Sequence, residues 1–300
     1  MVLQYAAGWL NLFHIETFTF ASGYLFYMLR YEKGRYRTPK KDIQRRFCRL
    51  MVPFFAVSVF WALPAQLLAY GFSWEIIIKS FVLQIAPAQL WFLPMLFILY
   101  VVFYFLSDCL ERIPVWAACA GYYVIYAAKL LSGKYIPWGV FQISNVIEYA
   151  IYFYLGCAFR SGKVKIQSGK QAEGTCLIAL PVAAAYLWMG GVSSLSQLKE
   201  FIRPAVCAVR IFAVVCLGKM LSVERLTDER WFERLSRNAM GIYLFHQQIL
   251  YITMRLFKEI PLGLQLLCNF AVALTVSYAI SSLLRKVRWG RRVLGIQTTH

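Results

Sequence analysis

Apolar runs of about 20 residues recur from one end of this chain to the other, each long enough to cross a hydrocarbon layer of about 30 Å as an α-helix. The composition agrees, since 60% of the 300 residues are hydrophobic and 17% are aromatic. That balance, with a mean hydropathy of +0.56, lies far from a soluble protein's. Hydropathy read against charge places spans near 8–29, 48–70, 90–107, 114–131, 145–159, 175–191, 204–221, 239–257 and 262–284. The first carries Asn11, His14 and Glu16 with no basic region ahead of it, so it is read as a retained span rather than a cleaved signal. The segment 72–86 is apolar but contains Glu75 and Lys79 and is too short to cross, which predicts a helix lying in the interface. The expected fold class is all-α: a polytopic membrane helix bundle of about nine transmembrane helices, forming a single membrane-embedded domain over 1–300.

Lys and Arg set the orientation, because basic residues in short loops stay on the cytoplasmic side. Of the 32 basic residues, 24 fall in alternate connections: 30–49, Arg112, 160–170, 219–237 and 285–292. The opposite set is Lys79, Lys129, Lys134, Lys199, Arg203, Arg255 and Lys258, and Arg210 lies inside a span. The N-terminus is therefore expected outside and the C-terminus in the cytoplasm, as in a multi-pass inner-membrane protein. A net charge of +18 would suggest nucleic acid in a soluble chain. Here the charge is segregated by topology with no aromatic stacking platform, so anionic membrane lipids are the expected partner and nucleic acid is not. The eight cysteines all fall within apolar spans or at their ends and none has CxxC spacing, which argues for free, buried thiols and no structural metal.

An ionisable group inside a span costs several kcal/mol unless it is paired or hydrated, which makes each one a functional candidate. The set is His14, Glu16, Glu148, Arg210 and His246. His14 and Glu16 lie about 160° apart around a helix and face different neighbours. Glu16 shares its face with Thr19, Gly23 and Tyr27, whereas His14 lies with Phe18 and Ala21 on a face suited to packing or to an interfacial hydrogen bond. Arg210, as the one strong cation at membrane depth, suits either a buried pair with Glu16 and Glu148 or an anion clamp. His246, about two turns into its span, suits either a proton acceptor or an interhelical hydrogen bond.

Four segments in order resemble the integral-membrane acyltransferases that O-acylate surface carbohydrates, acyltransferase family 3. They are Phe13-His14-Ile15-Glu16-Thr17-Phe18-Thr19-Phe20-Ala21-Ser22-Gly23-Tyr24-Leu25-Phe26; Arg46-Phe47-Cys48-Arg49-Leu50-Met51-Val52-Pro53; Leu90-Trp91-Phe92-Leu93-Pro94; and Leu235-Ser236-Arg237-Asn238-Ala239-Met240-Gly241-Ile242-Tyr243-Leu244-Phe245-His246. Each has a packing alternative. Ser22-Gly23 allows close helix approach, Trp91 suits an interfacial belt, Pro94 suits a first helical turn, and Asn238 suits a cap on the eighth span. The resemblance covers nearly the whole chain, apart from the additional first span with which members usually begin.

The resemblance implies transfer of an acyl group, above all acetyl from acetyl-CoA, to a hydroxyl of a surface or exopolysaccharide sugar. Acetyl-CoA is then a co-substrate, with no bound cofactor. His246 and Glu16, with His14 beside them, are the catalytic candidates. Arg210, Glu148, Trp91, Asn238, Arg46 and Arg49 are the substrate-binding candidates, the basic ones through charge-assisted bonds to phosphates. The competing readings are an inactive member lacking the first span and a polytopic transporter. The latter would more naturally carry inverted repeats or paired broken helices, and neither is visible.

Overall fold

The computed structural model describes residues 14–35, 38–64, 74–78, 88–133, 140–165, 169–190, 193–221 and 229–296. Among these residues every regular element is helical. In chain order the α-helices longer than a single turn are α1 His14–Tyr27, α2 Pro39–Val57, α3 Phe92–Arg112, α4 Val115–Ser132, α5 Ile143–Arg160, α6 Gly169–Met189, α7 Ser196–Met220, α8 Arg230–Leu256, α9 Leu262–Leu284 and the short α10 Arg288–Val293. π-Helical turns at Met28–Glu32 and Ser58–Ala62 carry α1 and α2 onward. By length and composition α3, α4, α7 and α9 are each able to cross a membrane, and α6 contains a shorter apolar stretch, Glu173–Met189.

The described part of each span predicted from hydropathy falls on helix, residues 65–70 of the second span lying outside the described residues, but three helices begin well before the apolar stretch. α2 starts at Pro39, α7 at Ser196 and α8 at Arg230. Hydropathy marks only where lipid is the preferred solvent, whereas the i to i−4 ladder continues through polar turns while backbone bonding stays satisfied. One reading is corrected by this. Asn238 does not cap a helix; it lies in the third turn of α8 and donates through Nδ2 to Arg234 O at 2.9 Å. Of the expected interfacial helix over 72–86 only a single turn, Trp74–Ile77, is described. The rest of that segment lies outside the described residues, as does the part of the first span before His14.

The chain divides into two compact units. The first comprises Met1–Pro39, Leu99–Trp138 and Ile143–Arg225, and is built around α1 and α5. Two glycines set how closely those helices cross. A methyl at Gly23 would fall on the backbone carbonyl of Phe153, and one at Gly156 on that of Phe20. The contact is reciprocal, so the Ser22-Gly23 pair does allow close approach, with Gly156 as its partner. Cys157 Sγ sits 3.3 Å from Gly23 O in the same crossing. Around it Phe26 and Phe153 are buried with ring centres 5.6 Å apart, and Phe103 packs on Phe153 at 4.6 Å.

The second unit comprises Lys40–Ile98, Gly139–Gln142 and Leu226–His300. Its central pair is α8 with α9, joined by Ser281 Oγ donating to Asn238 Oδ1 at 2.8 Å and Arg285 Nη1 donating to Arg237 O at 2.7 Å. Trp61 packs edge-on against Phe245, and Phe92 against Tyr243. Pro94 lies in the first turn of α3, where a missing N–H leaves no intrahelical bond unmade.

Candidate functional site

In the first unit a charged network lies among aromatic side chains, buried at Glu16 and partly open at Arg203 and Glu148. Glu16, in the first turn of α1, is 1% exposed. Arg203 of α7 donates through Nη2 to Glu16 Oε1 at 3.5 Å and through Nη1 to Glu148 Oε1 of α5. Lys129, near the end of α4, donates to Glu148 Oε2 at 3.2 Å. Two carboxylates are thus joined by one bridging guanidinium, with an ammonium at the edge. Desolvating such groups costs several kcal/mol each, and each is tolerated because the others compensate its charge.

Tyr122 and Tyr126 of α4 stack 5.6 Å apart over this network, their hydroxyls donating to Glu148 O at 3.2 Å and Glu200 O at 3.1 Å. Tyr149, Tyr152 and Tyr186 are buried as well. Glu16 Oε1 also lies 4.0 Å from Cys207 Sγ. Glu16 Oε2 is buried and makes no hydrogen bond among the described residues.

The sequence pointed to Glu16, Glu148 and Arg210 as one set, and the structure brings together the two carboxylates. The cation bonded to both is Arg203, which the count of basic residues had placed in an outer connection. Arg210 is buried two turns further along α7, within electrostatic reach of Glu16. A signal for Arg203 existed in the spacing: Arg203, Cys207 and Arg210 stand at i, i+4 and i+7, one face of a helix. Lys129 was missed in the same way. Its long stem reaches back along α4 while the apolar residues mark only the middle of the span.

The opposite ends of α1, α3 and α5 carry a second charged layer. Arg160 donates to both carboxylate oxygens of Glu32 at 2.5 Å and lies over the Tyr24 ring at 5.0 Å. This pairing holds the Glu32 carboxyl below its ordinary value. Arg30 donates to Asp108 at 2.8 Å and to Tyr104 O at 2.5 Å. Tyr31 donates to Asp108 Oδ1, and burial together with that bond pushes its hydroxyl up to about 12. Lys163 Nζ donates to the carbonyls of Leu110, Glu111 and Ile113, the C-terminal groups that a helix leaves unpaired.

In the second unit, His246 is half-buried in the middle of α8, sixteen residues beyond its first residue. Its Nδ1 lies 2.9 Å from both Ile242 O and Tyr243 O. Carbonyl oxygens only accept, so Nδ1 carries the hydrogen and, in the neutral ring, Nε2 keeps its lone pair. Asn238, two turns earlier on α8, is tied to Ser281. Trp91 is half-buried just before α3 and meets Phe92 at 6.3 Å. Arg46 is half-buried and Arg49 exposed, both on α2. His14 is the first residue of α1, and its side chain lies outside the described residues. Among the described residues no group of three or more His, Cys, Asp or Glu is placed to hold a metal ion.

Compared with known families, residues 4–285 match the model of the acyltransferase domain, Acyl_transf_3. The chain belongs to this acyltransferase family. The match takes in both units and every candidate named from the sequence, together with Arg203 and Lys129. Family membership and the apolar helices make it a membrane protein of acyltransferase type. Comparison with curated proteins and with solved structures gives no match.

Proposed function

We propose that this protein is an inner-membrane O-acyltransferase that takes acetyl from acetyl-CoA at its basic cytoplasmic face and passes it to a hydroxyl of a surface or exopolysaccharide sugar. The observation that supports this reading is the family match over residues 4–285, and within it the contacts of His246 Nδ1 with two backbone carbonyls, which suit a tautomer whose Nε2 can accept a proton. Nε2 would take the proton of the sugar hydroxyl as its oxygen attacks the thioester carbonyl. The C–S bond breaks, the thiolate of CoA leaves, and the imidazolium returns the proton to sulfur. A positioned base of this kind is worth about 10²–10⁴ in rate.

Arg46 and Arg49 on α2, with neighbouring basic residues, suit the phosphates of the donor. Within the first unit Glu16 remains a catalytic candidate, its Oε2 having unused hydrogen-bonding capacity, and Glu148 and Arg210 remain substrate-binding candidates. His14 remains a catalytic candidate beside Glu16, and Trp91 and Asn238 remain donor or acceptor contacts.

The layering of the first unit supports nine spans with the N-terminus outside. Glu16, Glu148 and Arg203 lie near the starts of α1, α5 and α7, and Lys129 near the end of α4. In that topology all four ends fall on the outer side. Arg30, Asp108 and Arg160, near the ends of α1, α3 and α5, fall on the inner side.

The direct test supplies labelled acetyl-CoA to the inside of inverted vesicles containing the protein, with cell-envelope polysaccharide as acceptor. Label should appear on polysaccharide as alkali-labile ester. Absence of labelled ester with every donor and acceptor pair tried would contradict the reading.

A further inference from the structure

Beyond residue 285, where the family match ends, the chain builds one wall of a basic pocket in the second unit. After α10 the backbone reverses at Gly295, whose φ is +67°. A methyl at this position would fall on the carbonyl of Arg49 and lie 3.0 Å from Pro53 Cγ. Left-handed backbone and close approach together require glycine here. The reversal is closed by Gly295 N donating to Arg292 O at 2.9 Å and Ile296 N donating to Arg291 O at 2.8 Å. Leu294 beside it is buried. The C-terminal segment is therefore fixed against α2, and the pocket they share has a volume of about 430 Å³.

Along α2 the lining changes from Lys41, Gln44 and Arg45 to Cys48 and Val52, positions that share one helical face. The facing wall adds Arg292, Gly295 and Ile296. Asp42 is buried and lies 3.8 Å from Arg45, so it offsets one of the three cations. Lys41 and Arg292 leave the pocket with surplus positive charge. A basic pocket that continues into an apolar end suits an anionic group attached to a less polar carrier. Guanidinium and ammonium groups together suit phosphate oxygens.

We propose that this pocket binds a phosphate ester, either the headgroup of an anionic phospholipid or a soluble phosphate ester. The soluble-ester arm rests on the donor reading of α2 given above and the lipid arm does not; the walls reach past the matched family residues, and the test reads binding alone, so its failure is distinct from a failure of acyl transfer.

The protein, purified in an uncharged detergent, is titrated with phosphatidylglycerol in mixed micelles and, separately, with adenosine 3′,5′-bisphosphate. Native mass spectrometry counts the ligand retained. Saturable binding of at least one probe is expected, weakened about thirtyfold by the double substitution Lys41→Gln/Arg292→Gln. Lys170→Gln/Lys286→Gln, basic residues that do not line the pocket, should leave it unchanged. Phosphatidylglycerol retained in the presence of the bisphosphate identifies a lipid headgroup, and its displacement identifies a soluble ester. Binding of neither probe, or equal weakening by both double substitutions, would overturn the proposal, since the basic face would then act only as diffuse charge. Unchanged thermal unfolding of the Lys41→Gln/Arg292→Gln protein shows that the loss is one of binding.

Discussion

Arg203 donates to Glu16 at 3.5 Å, tying α7 to α1 across 187 residues of sequence. The same guanidinium holds Glu148, so its removal leaves two carboxylates in a largely water-free network. Breaking a fully buried pair costs about 3–5 kcal/mol, and Arg203 and Glu148 are partly open to solvent, so Arg203→Met should cost about 2 kcal/mol. Glu16→Gln in that background should restore part of the loss, because Glu148 keeps Lys129 as a partner whereas Glu16 loses the guanidinium bonded to it. Thermal unfolding in lipid nanodiscs measures both. A purely additive pair of substitutions would mean that Arg203 and Glu16 do not act on each other.

Gly23 and Gly156 give a sharper packing test. Alanine at either would place its methyl on a backbone carbonyl of the facing helix, which a flexible side chain cannot relieve. Gly23→Ala and Gly156→Ala should each lose about 2 kcal/mol or more, as overpacking of a tight contact does. Gly121→Ala on α4 meets nothing within 4 Å and should be neutral or stabilising by up to about 1 kcal/mol. Equal effects at all three positions would refute the close crossing.

These residues also show what the sequence made legible. The face Glu16, Thr19 and Gly23 was readable from helical spacing alone, and all three are buried. The family segments and the all-helical class were readable because lipid forces long apolar helices and because the motifs keep their order. Arg203 was not, since a residue just outside an apolar window is assigned to a loop by hydropathy although the hydrogen-bonded helix continues past it. Asn238 was misread as a cap for the same reason: α8 begins eight residues earlier, in a polar stretch. The pairing of Gly23 with Gly156, and of Gly295 with the α2 backbone, depends on three-dimensional approach that spacing does not encode.

The Glu32–Arg160 pair makes stability depend on pH in a set direction. The Glu32 carboxyl is held below its ordinary value of 4.5 by hydrogen bonds from Arg160. A lowered carboxyl contributes stability that is fully present above that ordinary value and is lost as pH falls through the lowered one. Wild type should therefore melt higher than Glu32→Gln at neutral pH, with the gap closing only under acid conditions. A gap that widens on acidification would contradict the pairing.

Topology is open to cysteine labelling in a cysteine-depleted background, motivated by the alternate placement of 24 of the 32 basic residues. Tyr36→Cys and Thr298→Cys should react only after the membrane is permeabilised, and Ser196→Cys should react from outside in intact cells. Label reaching residue 36 from outside would reverse the orientation and with it the side proposed for donor binding.

The most direct test of acyl transfer through His246 is the rate of acetyl transfer by His246→Gln, with thermal unfolding measured on the same preparation. If Nε2 accepts the proton, transfer should fall by about 10²-fold or more while unfolding stays close to wild type. A histidine that only joined helices would be largely replaced by glutamine, because such bonds average about 0.6 kcal/mol in a membrane. His14→Gln, measured alongside, separates the two histidines. Transfer by His246→Gln at the wild-type rate would contradict the assignment of His246 as the base.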